Sequence, residues 1–134
     1  MPFNRSLQRL WLWCLLFFIV AATTGILFRL GMLMPLPGDL SLVNIRHAHS
    51  HLMFFNWVAP VPMLFIARHL YREAPERASG FLKGLVFILV TGITAWLFFL
   101  LYGYRPVPIG EAALPVSVIL SGVIMLGWYL LVAI

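Results

Sequence analysis

The chain has 134 residues, of which 63% are hydrophobic and only 10% are charged. Soluble domains are roughly half apolar and roughly a quarter charged, so this composition excludes an ordinary soluble domain and predicts an integral membrane protein. The net charge of +5 does not indicate nucleic-acid binding, because the basic residues lie at the ends of apolar segments and not in one patch.

Four long segments of the chain contain no Asp, Glu, Lys or Arg. They are residues 10–28, 47–67, 84–104 and 112–134. Each can cross a hydrocarbon layer of about 30 Å at about 1.5 Å per helical residue. We therefore predict an all-α integral membrane fold of four antiparallel transmembrane helices, with residues 1–134 as one domain and no soluble domain. The expected helices are about 7–33, 45–71, 81–104 and 112–134.

The distribution of basic residues predicts how these helices are oriented. If the N-terminus is inside, the inner segments carry six basic residues and the outer segments carry three. The inner set is Arg5, Arg9, Arg68, Arg72, Arg77 and Lys83, and the outer set is Arg29, Arg46 and Arg105. This excess favours cytoplasmic N- and C-termini, with a bacterial inner membrane as the expected location. The apolar C-terminal end leaves open that the chain is the N-terminal part of a longer protein.

The second predicted helix carries two prolines, Pro60 and Pro62, near its middle. Proline removes backbone hydrogen bonds and bends a helix. Within a membrane the freed carbonyls need partners, so we expect a kink that faces protein and not lipid. Asn56 lies just before the kink and can hydrogen bond to another helix or to a ligand.

The outer end of this helix contains three histidines at alternate positions, in the stretch "RHAHSHLMFFNW". Residues four apart share a helix face, whereas residues two apart point in nearly opposite directions. His47 and His51 are therefore expected to form a pair. His49 is expected on the other side, on one stripe with Met53 and Asn56.

Two kinds of metal centre are compatible with this pattern. Copper is suited to the imidazoles of His47 and His51 with the thioethers of Met32 and Met34 nearby, and Asp39 is a further outer candidate. Haem b is suited to a single axial histidine, for which His49 with Met53 and Asn56 is the candidate group. The alternative is a set of histidines that only bond to headgroups, water and loop carbonyls. The remaining histidine, His69, lies about 27 Å further along the same helix, so the chain alone offers no bis-histidine haem across the membrane.

The stretch "RHAHSHLMFFNWV", which enters a long helix after a proline-rich loop, resembles helix two of haem–copper oxidase subunit I and of the large nitric oxide reductase subunit. It is still more similar to the HAH helix of NnrS-type membrane proteins, which contain haem and copper and are linked to nitric oxide metabolism. The resemblance implies that His47 or His49 is a metal ligand. Those families have many more helices, and the later histidines that complete their metal centres are absent here.

Two functions of different classes follow. The first is a haem- or copper-binding membrane module related to redox proteins of nitric oxide or oxygen, with the centre completed by other membrane subunits or further helices. The second is a small structural subunit of a respiratory or photosynthetic complex. The sequence has no glycine-rich phosphate loop, no paired intramembrane carboxylates and no Ser-His-Asp arrangement. We therefore expect no stand-alone catalysis. From the apolar composition, we expect the lipid bilayer to surround the chain.

Overall fold

A computed structural model describes residues 2–38 and 40–133 of the chain. Its helices and strands follow one another in a simple order. They are α1 (Pro2–Gly31), α2 (Leu42–Met53), a π-helical segment (Phe54–Val58), α3 (Pro60–Glu73), α4 (Pro75–Tyr102), β1 (Val107–Ile109), β2 (Ala112–Leu114) and α5 (Val116–Val132). The prediction of a mainly helical chain is confirmed, and the small pair of strands is an addition to it.

Within the described part of the chain, three helical spans are long and apolar enough to cross a membrane. They are Phe3–Gly31, Leu42–Glu73 and Pro75–Tyr102. The last apolar helix, α5, is shorter and extends for about 25 Å at 1.5 Å per residue. Three of the four predicted membrane helices therefore correspond to spans that are long and apolar enough to cross a membrane, and the fourth corresponds to a shorter apolar helix.

Aromatic pairs show that α1 runs antiparallel to the second span, Leu42–Glu73. The rings of Phe3 and Tyr71 stack with centroids 4.0 Å apart, and the Phe18 and Trp57 centroids are 4.8 Å apart. Residues with increasing numbers along α1 thus contact residues with decreasing numbers along the second span. α4 packs against α2, α3 and α5, so it is the central helix of the bundle.

The second membrane-length span changes its helical register in the middle. The Ala59 N–H donates to the Phe54 carbonyl at 2.9 Å, five residues earlier, which defines the π-helical turn. Pro60 and Pro62 follow at once and have no N–H to give to the carbonyls four residues before them. The wide turn therefore accompanies the predicted proline break. Pro60 is buried in the bundle as expected, but Pro62 is exposed.

Several predicted boundaries differ from those in the structure. The polar segment after residue 71, expected to be a loop, is almost wholly helical, because α3 ends at Glu73 and Pro75 begins α4 at a position where proline is favoured. Residues 112–114, expected to begin the fourth helix, form β2 instead. That strand pairs with β1 in a hairpin with Gly110 at φ +62°, a turn conformation that favours glycine.

Candidate functional site

His47 and His51 lie together on the face of α2 that packs against α4. The His51 ring is stacked on Phe99 with centroids 4.3 Å apart, and the His47 ring meets Tyr104 edge-on at 4.8 Å. The Tyr104 hydroxyl and His47 Nδ1 share a hydrogen bond of 3.2 Å. The four-residue spacing predicts this pairing. In the structure, however, both rings also contact the aromatic side chains of Phe99 and Tyr104.

The predicted copper ligands around this pair lie in different places. Among the residues that the structure describes, no group of three or more His, Cys, Asp or Glu side chains is placed to hold a metal ion. Met32 and Met34 lie in the turn after α1, and both are more than half exposed. Asp39, the additional outer candidate, lies outside the described residues.

His49 points to the opposite side, towards α1. Its Nδ1 lies 2.7 Å from the carbonyl oxygen of Ala21. A carbonyl oxygen can only accept, so Nδ1 carries the proton and donates it. In the neutral ring this leaves Nε2 with a free lone pair. A hydrogen bond of this kind fixes the tautomer and the orientation of ligating histidines.

A glycine on α1 makes room for the His49 ring. A Cβ atom at Gly25 would lie 2.8 Å from Cε1 of His49, closer than real Cβ contacts allow, and 3.1 Å from its Nδ1, which is a tight contact. The ring also lines an open groove of about 390 Å³ along the C-terminal half of α1. The other lining residues are Ala22, Gly25, Ile26, Arg29, Leu30 and Leu33. This α1–α2 groove thus offers one imidazole, two small residues, an apolar wall and one guanidinium.

Asn56 is not part of the His49 group. It is fully buried, and its Nδ2 donates to the Leu89 carbonyl of α4 at 2.7 Å. Its amide lies against Gly92, where an added Cβ would be 2.9 Å from Cγ. The π-helical turn begins at Phe54 and changes the register between His49 and Asn56, so a uniform stripe along one α-helix does not exist. The alternative role of Asn56, as a hydrogen-bonding link between helices, is the one that the structure shows.

Met53, the third candidate of that stripe, is half-buried against the hydrophobic core. It lies at the last position before the π-helical turn. The structure thus brings neither Met53 nor Asn56 to the wall of the α1–α2 groove. His49 is the only one of the three predicted cofactor-binding residues among the lining residues described there.

Several residues around the histidines were not predicted. Phe99 and Tyr104 contact the His47–His51 pair, and Gly25 and Ala21 contact His49. These contacts join positions that are 24 to 57 residues apart in the chain. The local sequence gives no signal for such pairs, apart from Gly25, whose small size is typical of close helix contacts.

The chain was also compared with known proteins. No protein-family model matches it, and neither the curated proteins nor the solved structures include one that is significantly similar.

Proposed function

We propose that this protein is a haem-binding membrane module, with His49 as an axial ligand of a haem b. The observation that supports this most is the hydrogen bond from His49 Nδ1 to the Ala21 carbonyl, because it leaves the Nε2 lone pair available on a ring that lines an open groove. When bound there, haem would supply one-electron exchange at the outer end of the bundle. The short resemblance to redox membrane proteins is compatible with this role.

The residues of the α1–α2 groove suit such a group. Ala22 and Gly25 leave space beside the ring, and Ile26 and Leu30 supply apolar contacts to a macrocycle. The guanidinium of Arg29 at the same groove suits a propionate, because arginine binds carboxylates with paired hydrogen bonds. A second axial ligand from another subunit or further helices is part of the proposal. Copper at His47 and His51 is the alternative, and those two rings contact Tyr104 and Phe99.

Absorption spectra of the protein purified after expression with added haem test this proposal. We expect the wild type to show a Soret band and reducible haem b bands. His49→Ala should abolish them, whereas His47→Ala and His51→Ala should keep them, since these two rings face α4. The three variants lie within five residues and are matched controls for one another.

Other results of that experiment contradict the proposal. Loss of metal content in His47→Ala and His51→Ala, with little change in His49→Ala, would instead support copper held by the pair. A wild-type preparation without haem or copper would support the alternative of a structural subunit whose histidines only form hydrogen bonds and aromatic contacts.

We also propose that the chain inserts with both termini in the cytoplasm of a bacterial cell, which places the histidines at the outer face. The six-to-three distribution of basic residues supports this orientation. Reporter fusions at Ala78, near the start of α4, and at Gly110, in the β-hairpin, should report inside and outside respectively. The reverse pattern would place the histidines on the cytoplasmic side and exclude this topology.

A further inference from the structure

A second, larger groove lies between α1 and α4, at the opposite end of the bundle from the clustered histidines. It encloses about 930 Å³ and is independent of the proposed haem site. The C-terminal parts of α1 and α4 are connected by a hydrogen bond, in which Trp96 Nε1 donates to Thr24 Oγ1 at 3.2 Å. Near the N-terminus of α1 the two helices leave this space open. We refer to it as the α1–α4 groove.

The α1–α4 groove is basic at one end and apolar along its length. Arg9 from α1 and Lys83 from α4 both line it, and both are exposed. No Asp or Glu is among the described residues that line it. Two cations from different helices therefore face one opening without a carboxylate of the same groove to neutralise them, which favours an anionic group of the ligand.

The rest of the α1–α4 groove suits a hydrocarbon chain. From Lys83 the wall continues along Val86 and Val90, about 10 Å at 1.5 Å per residue. Trp13 forms part of the wall on α1 and is 52% exposed. Leu10 and Leu82 are buried and form part of the lining between the two helices. A free phosphate ion would contact only the basic end of the groove, whereas a phospholipid would contact both the basic end and the apolar wall.

We infer that the α1–α4 groove binds one anionic phospholipid. Arg9 and Lys83 contact its phosphate group, and an acyl chain lies along Trp13, Val86 and Val90. Clusters of basic side chains beside a membrane helix attract anionic headgroups, and the adjoining apolar wall fixes the lipid at this one place. The site would make the bundle sensitive to the anionic lipid content of its membrane, whichever side the groove occupies.

Native mass spectrometry of the detergent-purified, full-length chain tests this inference. The protein is titrated separately with dioleoyl phosphatidylglycerol and with dioleoyl phosphatidylcholine, and the bound lipids are counted. We expect one phosphatidylglycerol to bind roughly tenfold to thirtyfold more tightly than phosphatidylcholine. The double variant Arg9→Gln/Lys83→Gln should lose this preference.

The control is Arg46→Gln/Arg105→Gln, which removes two formal charges at other exposed positions and should keep the preference. All variants are first checked for an unchanged unfolding midpoint. Equal binding of the two lipids to the wild type would contradict the inference, and so would an equal loss in both double variants. An excess of inorganic phosphate should not displace the lipid. Complete displacement would mean that the groove binds phosphate and that its apolar wall does not contribute.

Discussion

Replacing Gly92 with alanine is expected to destabilise the bundle more than any other single methyl addition to α4. The new Cβ would overlap the Asn56 amide, which is fully buried and bonded to the Leu89 carbonyl. Either the amide moves and the hydrogen bond is lost, or α4 moves away from the π-helical segment. Overpacking and an unsatisfied buried amide each cost about 1–3 kcal/mol. We therefore expect a loss of about 1–3 kcal/mol, measured by denaturation in detergent.

Gly80→Ala is the matched control for this prediction. Gly80 lies on the same helix, and an added Cβ there would meet nothing within 4 Å. Alanine is the better helix former, so stability should stay unchanged or rise by up to about 1 kcal/mol. Equal unfolding midpoints for Gly92→Ala and the wild type would show that the Asn56–Leu89 contact does not hold α4 in place.

Replacing Gly25 with alanine is expected to displace the His49 ring and to weaken haem binding. The added Cβ would lie 2.8 Å from Cε1, and the ring can retreat only by losing its hydrogen bond to the Ala21 carbonyl. Loss of the hydrogen bond that orients a metal-ligating histidine typically lowers affinity about 10- to 100-fold. Titration of the apoprotein with haem, followed at the Soret band, measures this change.

Gly25→Ala also has an expected effect that does not depend on haem. Crowding at the α1–α2 contact should lower stability by about 1–3 kcal/mol in the apoprotein. Gly122→Ala on α5 adds the same methyl group where nothing lies within 4 Å. It should leave haem affinity unchanged, and stability should stay unchanged or rise by up to about 1 kcal/mol. Wild-type haem affinity and stability in Gly25→Ala would mean that the His49 ring is not held in the described position.

The arrangement of the histidines was predictable from the sequence because it depends on local helix geometry. The four-residue spacing of His47 and His51 is sufficient to place them on one face, and His49 on another. The placement of Asn56 was not predictable in this way. Its relation to His49 depends on a π-helical turn, which directly precedes the two prolines, and on the contact of Asn56 with α4.

The boundaries of the helices were also not predictable from the local sequence. Charge-free segments indicate which residues are apolar enough to cross a membrane, but not where helices end. The helical structure of residues 75–83 depends on Pro75 at the start of α4, although those residues are polar. At the other end of α4, Gly103 with φ +61° ends the helix, and its carbonyl accepts a bond from Ser117 of α5. Contacts between such distant positions are not readable from local composition.

The π-helical segment divides the second membrane-length span into two parts whose orientations are set separately. The part before the segment is held to α1 through His49, and the part after it through the ring of Tyr71 against Phe3 of α1. Within the segment, the ring of Trp57 contacts Phe18 of α1. One additional residue per turn corresponds to about 100° of rotation between the two parts. The segment therefore offsets the helical register, which lets the parts of the span before and after it both contact α1.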